Sequence, residues 1–131
     1  MKKFLPLFVA LAFAGPAAAQ SIVVSGGDAG DMSPLSVAYE ELQAGRNAAA
    51  VDKLTHSAID ARDPSRLINL GTAYARLGQA ADAATAYEAA IASPIRYDVE
   101  LASGTYMDSR WAARTALTNL NEGKPLLALA R

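Results

Sequence analysis

The chain has 131 residues and a mass of 13.6 kDa, the length of one domain. Its formal net charge is −1 with no basic run, which argues against a duplex nucleic-acid partner, because that affinity rests on Lys and Arg at phosphates. No cysteine and a single histidine exclude a disulfide framework, a cysteine nucleophile, a thiolate zinc site, a lipidated N-terminal cysteine and a multi-histidine metal centre.

Alanine supplies 30 of the 131 residues and aromatic residues only 7%. The core must therefore come from close helix packing and not from large side chains. Residues 1–19 read as an export signal. Lys2 and Lys3 form a positive start, and Phe4 to Ala14 is an apolar run too short to cross a hydrocarbon layer of roughly 30 Å. Gly15-Pro16 breaks that run, and Ala17-Ala18-Ala19 offers small residues to a peptidase, so cleavage is expected between Ala19 and Gln20. The alternative is a buried N-terminal helix. No twin arginine precedes the run, and no second long apolar segment follows. The mature protein is expected in the periplasm or secreted, with no membrane span.

Residues 20–33 read as a flexible N-terminal linker, within which Ile22-Val23-Val24 could form a short strand. Gly26-Gly27-Asp28-Ala29-Gly30 resembles a phosphate loop only superficially, because the lysine-threonine end is missing. Ser33-Pro34 reads as N-cap and first turn of a helix through Ala44, ended by Gly45. A second helix is expected from about Arg46 to Ala61. Asp63-Pro64 repeats the start, and the third helix runs to Leu77 and stops at Gly78, with Arg76 in its last turn, where a cation suits the helix dipole. A fourth runs from Gln79 to about Ala92, and Ser93-Pro94 ends it.

The register repeats at a spacing of 33: Gly45 with Gly78, Ala50 with Ala83, Leu54 with Tyr87. A period in the low thirties with two helices per unit marks a helical repeat. In the second unit Leu70-Gly71, Tyr74, Gly78, Ala83, Tyr87, Ala90 and Ile91 stand at the spacings L-G-x2-Y-x3-G-x4-A-x3-[FY]-x2-A-[LI]. This resembles the tetratricopeptide repeat. Gly71, Ala83 and Ala90 are small where two antiparallel helices approach, Tyr74 and Tyr87 fill the space between neighbours, and Gly78 makes the turn. An unrelated alanine-rich hairpin is the alternative. The first unit departs from the pattern, with Val37-Ala38 for Leu-Gly, Glu41 for Tyr and Ser57 for Ala.

The resemblance implies an all-α fold of antiparallel helix-turn-helix repeats over about 34–63 and 64–94, within a helical domain of 34–122. It also implies a groove for peptides along the first helix of each unit. Mapped by repeat position, that face takes Leu35, Tyr39, Leu42 and Gln43, then Ile68, Asn69, Thr72 and Arg76. Asn69 stands where one chaperone-binding subfamily holds a peptide carboxylate, but Leu35 and Tyr39 replace its basic partners. The alternative for all eight is ordinary surface, or packing against the linker.

Residues 95–107 form an extended connector in this reading. Ile95 to Leu101 alternates apolar and charged residues, the period of a half-buried strand, and Ser103-Gly104 would turn it. It could lie on the helices, pair with Ile22-Val23-Val24, or offer an edge to a partner strand. Asp108 can cap a helix over 109–121 whose apolar face of Trp111, Thr115 and Thr118 with Ala113, Ala116, Leu117 and Leu120 covers the open face of the second repeat, Trp111 and Leu120 inward. Residues 123–131 are a tail whose Leu126, Leu127 and Leu129 suggest docking.

Catalytic chemistry is hard to find. His56 lies near Lys53 and Asp60 on a solvated helix face, and the acidic pairs Glu40-Glu41 and Asp98 with Glu100 lack a second cluster at metal-ligand spacing. The expectation is an exported, non-enzymatic module that binds a protein or peptide without cofactor, metal or nucleic acid. The alternative is a self-associating structural subunit of the cell envelope.

Overall fold

The computed structural model describes residues 37–101 and 103–124. The leader, the linker, Ser33-Pro34, Leu35 and residues 125–131 lie outside the described residues. Among the described residues, five helices and one two-stranded sheet follow in chain order: α1 (Tyr39–Gln43), α2 (Asn47–Thr55), α3 (Pro64–Arg76), α4 (Ala80–Ala92), β1 (Asp98–Glu100), β2 (Tyr106–Asp108) and α5 (Ser109–Asn121).

α3 begins where its sequence says it should. The Asp63 side chain accepts from the Arg66 amide at 3.0 Å, and Pro64 occupies the first turn, where an N–H would have no helical partner. The turn into α4 bends at Gly78, whose φ is +77°. α3 and α4 then pack closely. A Cβ at Gly71 would stand 2.6 Å from Cε1 of Tyr87, so only glycine leaves room for that ring. Tyr87, Ala83 and Ala90 are fully buried, and Tyr74 packs half-buried against the same core.

The first two helices are shorter than expected. α1 starts at Tyr39 and not near Pro34, because Ala38 is left-handed at φ 57° and interrupts the helical path. A left-handed residue with a Cβ costs roughly 1–2 kcal/mol, so the surroundings must hold it. α2 ends at Thr55, before the expected Ala61. Beyond it local side-chain bonds replace helical ones. Ser57 Oγ accepts from the Ile59 amide, and Asp60 accepts from the Arg62 amide and guanidinium. Arg66 reaches back from α3 to the Ile59 and Thr55 carbonyls. Leu42, Ala50, Leu54 and Ala73 close a small core between α1, α2 and α3.

The extended segment is a hairpin. β1 pairs antiparallel with β2 in the register Asp98 with Asp108, Val99 with Met107 and Glu100 with Tyr106. The expected connector over 95–107 is thus a folded ribbon in which β1 pairs with residues 106–108, and Ile22-Val23-Val24 lies outside the described residues. Gly104, at φ +78°, sits in the turn. Val99 and Leu101 point into the main core, in keeping with the alternation.

α5 spans the residues expected of it, and Asp108 caps it by accepting from the Arg110 and Trp111 amides at 3.1 Å. Its inward face keeps the expected Ala113 and Ala116, with Leu117 and Leu120 packed on the core, but not Trp111. Ser109, Ala112, Ala113 and Ala116 are buried at i, i+3, i+4, i+7, while Trp111 is 55% exposed. α5 packs on α4, whose buried positions include Ala83, Ala86 and Ala90. Two helices that meet through alanines come too close for an indole between them, and Trp111 stands one residue off the alanine row. Leu120 packs half-buried on the core.

Candidate functional site

The expected groove runs along α3, and the structure divides the residues mapped to it: Leu42, Asn69 and Arg76 meet at the contact between α3 and the first described segment, while Ile68 and Thr72 pack toward α4. Most of them turn inward. Leu42, Ile68, Asn69 and Thr72 are 0–1% exposed, so they line no open groove. Ile68 belongs to the main core and Leu42 to the small one. Asn69 Nδ2 donates to the Val37 carbonyl at 2.8 Å. The Thr72 and Tyr87 hydroxyls share a hydrogen bond of 3.0 Å. Arg76 donates to the Leu42 carbonyl at 2.6 Å. The face is closed from two sides: α3 grips the chain's own first described segment by its main chain through Asn69 and Arg76, and the main core around Tyr87 takes Ile68 and Thr72. Tyr39 and Arg76 are half-buried at the margin, and Gln43 is exposed. Leu35 lies outside the described residues.

Electrostatics at this margin follow from burial. Desolvation pushes the Arg76 guanidinium below its ordinary value, partly opposed by Tyr87. Burial also pushes the Tyr87 phenol up to about 12, against the Thr72 hydrogen bond and the nearby Arg76. At Glu41, burial opposes ionisation, but the bond from Lys53 Nζ at 3.0 Å and the charges of Lys53 and Arg46 hold its carboxyl below the usual range.

A second cluster escaped the sequence reading. The Tyr97 hydroxyl donates to both oxygens of Asp63, at 3.0 and 2.9 Å, and shares a 2.7 Å hydrogen bond with Ser65 Oγ. The capping aspartate of α3 therefore also ties the hairpin to that helix. Burial pushes Tyr97 up to about 12; Ser65 opposes this and the Asp63 charge adds to it. The alternation of residues 95–101 marked Tyr97 as facing the helices, but its partners lie 32 and 34 residues away. Tyr106 and Trp111 are both more than half exposed.

His56 carries a solvated ring, with Nδ1 3.3 Å from Asp52 Oδ1. Among the described residues no group of three His, Asp or Glu side chains could hold a metal ion. None of the described helices is long and apolar enough to cross a membrane. No family model, no curated protein and no solved structure matches this chain.

Proposed function

We propose that this chain is a small exported interaction module of tetratricopeptide type, without catalytic activity or cofactor, that binds a protein or peptide at the margin between α1 and α3. The observation that carries the reading is the way α3 uses its polar side chains. Asn69 and Arg76 hold the chain's own first described segment by its main-chain carbonyls, a grip independent of side-chain identity, and leave Gln43 exposed at the edge of that contact. The α3–α4 pair supports the repeat type, since Gly71, Ala83, Tyr87 and Ala90 pack as the motif requires. The leader pattern of residues 1–19 supports export.

The margin exposes Gln43 beside half-buried Tyr39 and Arg76. A photo-crosslinking residue at Gln43, in the exporting cell, should trap a partner. The same residue at Thr85, exposed on α4, should not. Equal labelling at both positions, or none at Gln43, overturns the reading. N-terminal sequencing of the exported chain should start at Gln20, and a retained Met1 removes the export step.

A further inference from the structure

α1 owes little to its own sequence. It has five residues, no side-chain cap, and the left-handed Ala38 at its start. Its seat holds it. Leu42 packs with Ala50, Leu54 and Ala73; Asn69 and Arg76 grip the Val37 and Leu42 carbonyls; Lys53 pairs with Glu41 at 3.0 Å. Every one of these contacts is made by α2 or α3, and none of them depends on the turn that joins α1 to α2.

That turn is weakly specified. It bends at Gly45, φ +71°, and α2 follows the N-cap position Arg46 with no side-chain cap and no proline. α3 and α5, by contrast, each start on a capping aspartate. The turn between α3 and α4 is equally open, but there Tyr87 locks the two helices through Gly71 and Thr72. Around Gly45 the residues are good helix formers, so 39–55 can run on as one helix of about 17 residues, roughly 25 Å long, with a single interior glycine.

We propose that two copies of this chain exchange α1. The turn at Gly45 straightens, and each copy's α1 takes the seat on α2 and α3 of the other. The occupant is the second copy because the seat is cut for this segment: its leucine fills the pocket, and its glutamate meets Lys53. The exchanged pair reproduces each contact of the closed chain, and the two-fold arrangement closes on itself. This goes beyond the partner-binding reading and does not depend on it.

The test uses the purified chain alone. Light scattering after size exclusion should show a monomer at micromolar concentration, and a dimer that accumulates toward millimolar and reverts slowly on dilution. Gly45→Ala supplies the decisive arm. A Cβ there meets nothing within 4 Å, so the variant keeps its core. Alanine strains the closed turn and favours the continuous helix, so the dimer fraction should rise at least roughly tenfold. The chain has no cysteine, so single thiols at Leu42→Cys and Ala73→Cys report cleanly. Mixed single variants should cross-link between chains after incubation at high concentration. A monomer throughout, a Gly45→Ala variant no more dimeric than the parent, or a dimer whose mixed single variants never cross-link overturns the exchange.

Discussion

Tyr87 occupies the space that Gly71 leaves open, and the two residues set how near α3 and α4 can lie. The ring is fully buried and its hydroxyl is used by Thr72, so it has nowhere to move. Gly71→Ala should therefore cost about 1–3 kcal/mol, the usual penalty for overpacking a filled core, read as a lower urea midpoint at unchanged slope. Ala38 is the opposite case. It is the one non-glycine residue at positive φ among those described, and it is buried. Glycine there removes the strain and returns part of the gain through a more flexible unfolded chain. Ala38→Gly should raise stability by up to ~1 kcal/mol, and a destabilised variant would show that the methyl group contributes more by packing than it costs by strain.

Among the elements, the joint between the hairpin and α3 carries the clearest pH signature. The Tyr97 phenol sits at about 12 in the folded chain against 10.0 in a free side chain. A raised value means that the folded state favours the protonated form. Its contribution is complete below about pH 10 and disappears as the pH rises toward about 12. Tyr97→Phe should be less stable than the parent at neutral pH and should show a smaller loss across that alkaline window. Asp63→Ala should be worse than an ordinary cap loss of about 1–2 kcal/mol, because the same carboxylate caps α3 and holds Tyr97. At the other end of the molecule the sign reverses. Glu41 lies below its usual range, so the ion pair with Lys53 contributes above the unfolded value of 4.5 and is lost as acidification protonates the carboxylate. Hydrogen exchange of α1 should then accelerate before that of α3 and α4, and simultaneous loss of all three would show that α1 is no separate unit.

On the scale of the whole molecule, two cores are joined through α3. The larger lies between α3, α4, the hairpin and α5, and the smaller holds α1 and α2 against the opposite side of α3. α5 closes the larger core with alanines, so its tryptophan is a surface residue. Trp111→Ala should leave the melting temperature almost unmoved, within the range of about 0.5 kcal/mol typical of surface changes, and the parent should emit as a water-exposed indole. Ala113→Leu should be far more damaging, about 1–3 kcal/mol, because a larger side chain enters the fully buried face of α5. If the tryptophan variant melts early and the alanine variant does not, the helix is rotated from its described orientation.

The bounds of α3, α4 and α5 were legible in the sequence because capping is local. Asp63-Pro64, Gly78, Ser93-Pro94 and Asp108 act on backbone within a few residues, and the turns form wherever those residues stand. The small residues at 71, 83 and 90 announced a close helix pair for the same reason: only their size was needed. Tertiary structure decided the rest. Trp111 and the alanines of α5 are all apolar, and which of them faces inward depends on how near α4 comes. The partner of residues 98–100 had to be chosen among strands that the sequence alone does not rank. α1 starts late because Ala38 is left-handed, and α2 stops early where Ser57, Asp60 and Arg66 take up backbone groups. Asn69 and Arg76 reach from α3 to the Val37 and Leu42 carbonyls, and that reach closes part of the face on which the candidate groove was drawn. A side chain 30 residues away competes for a carbonyl only after the chain has folded, and no local pattern of residues records that competition.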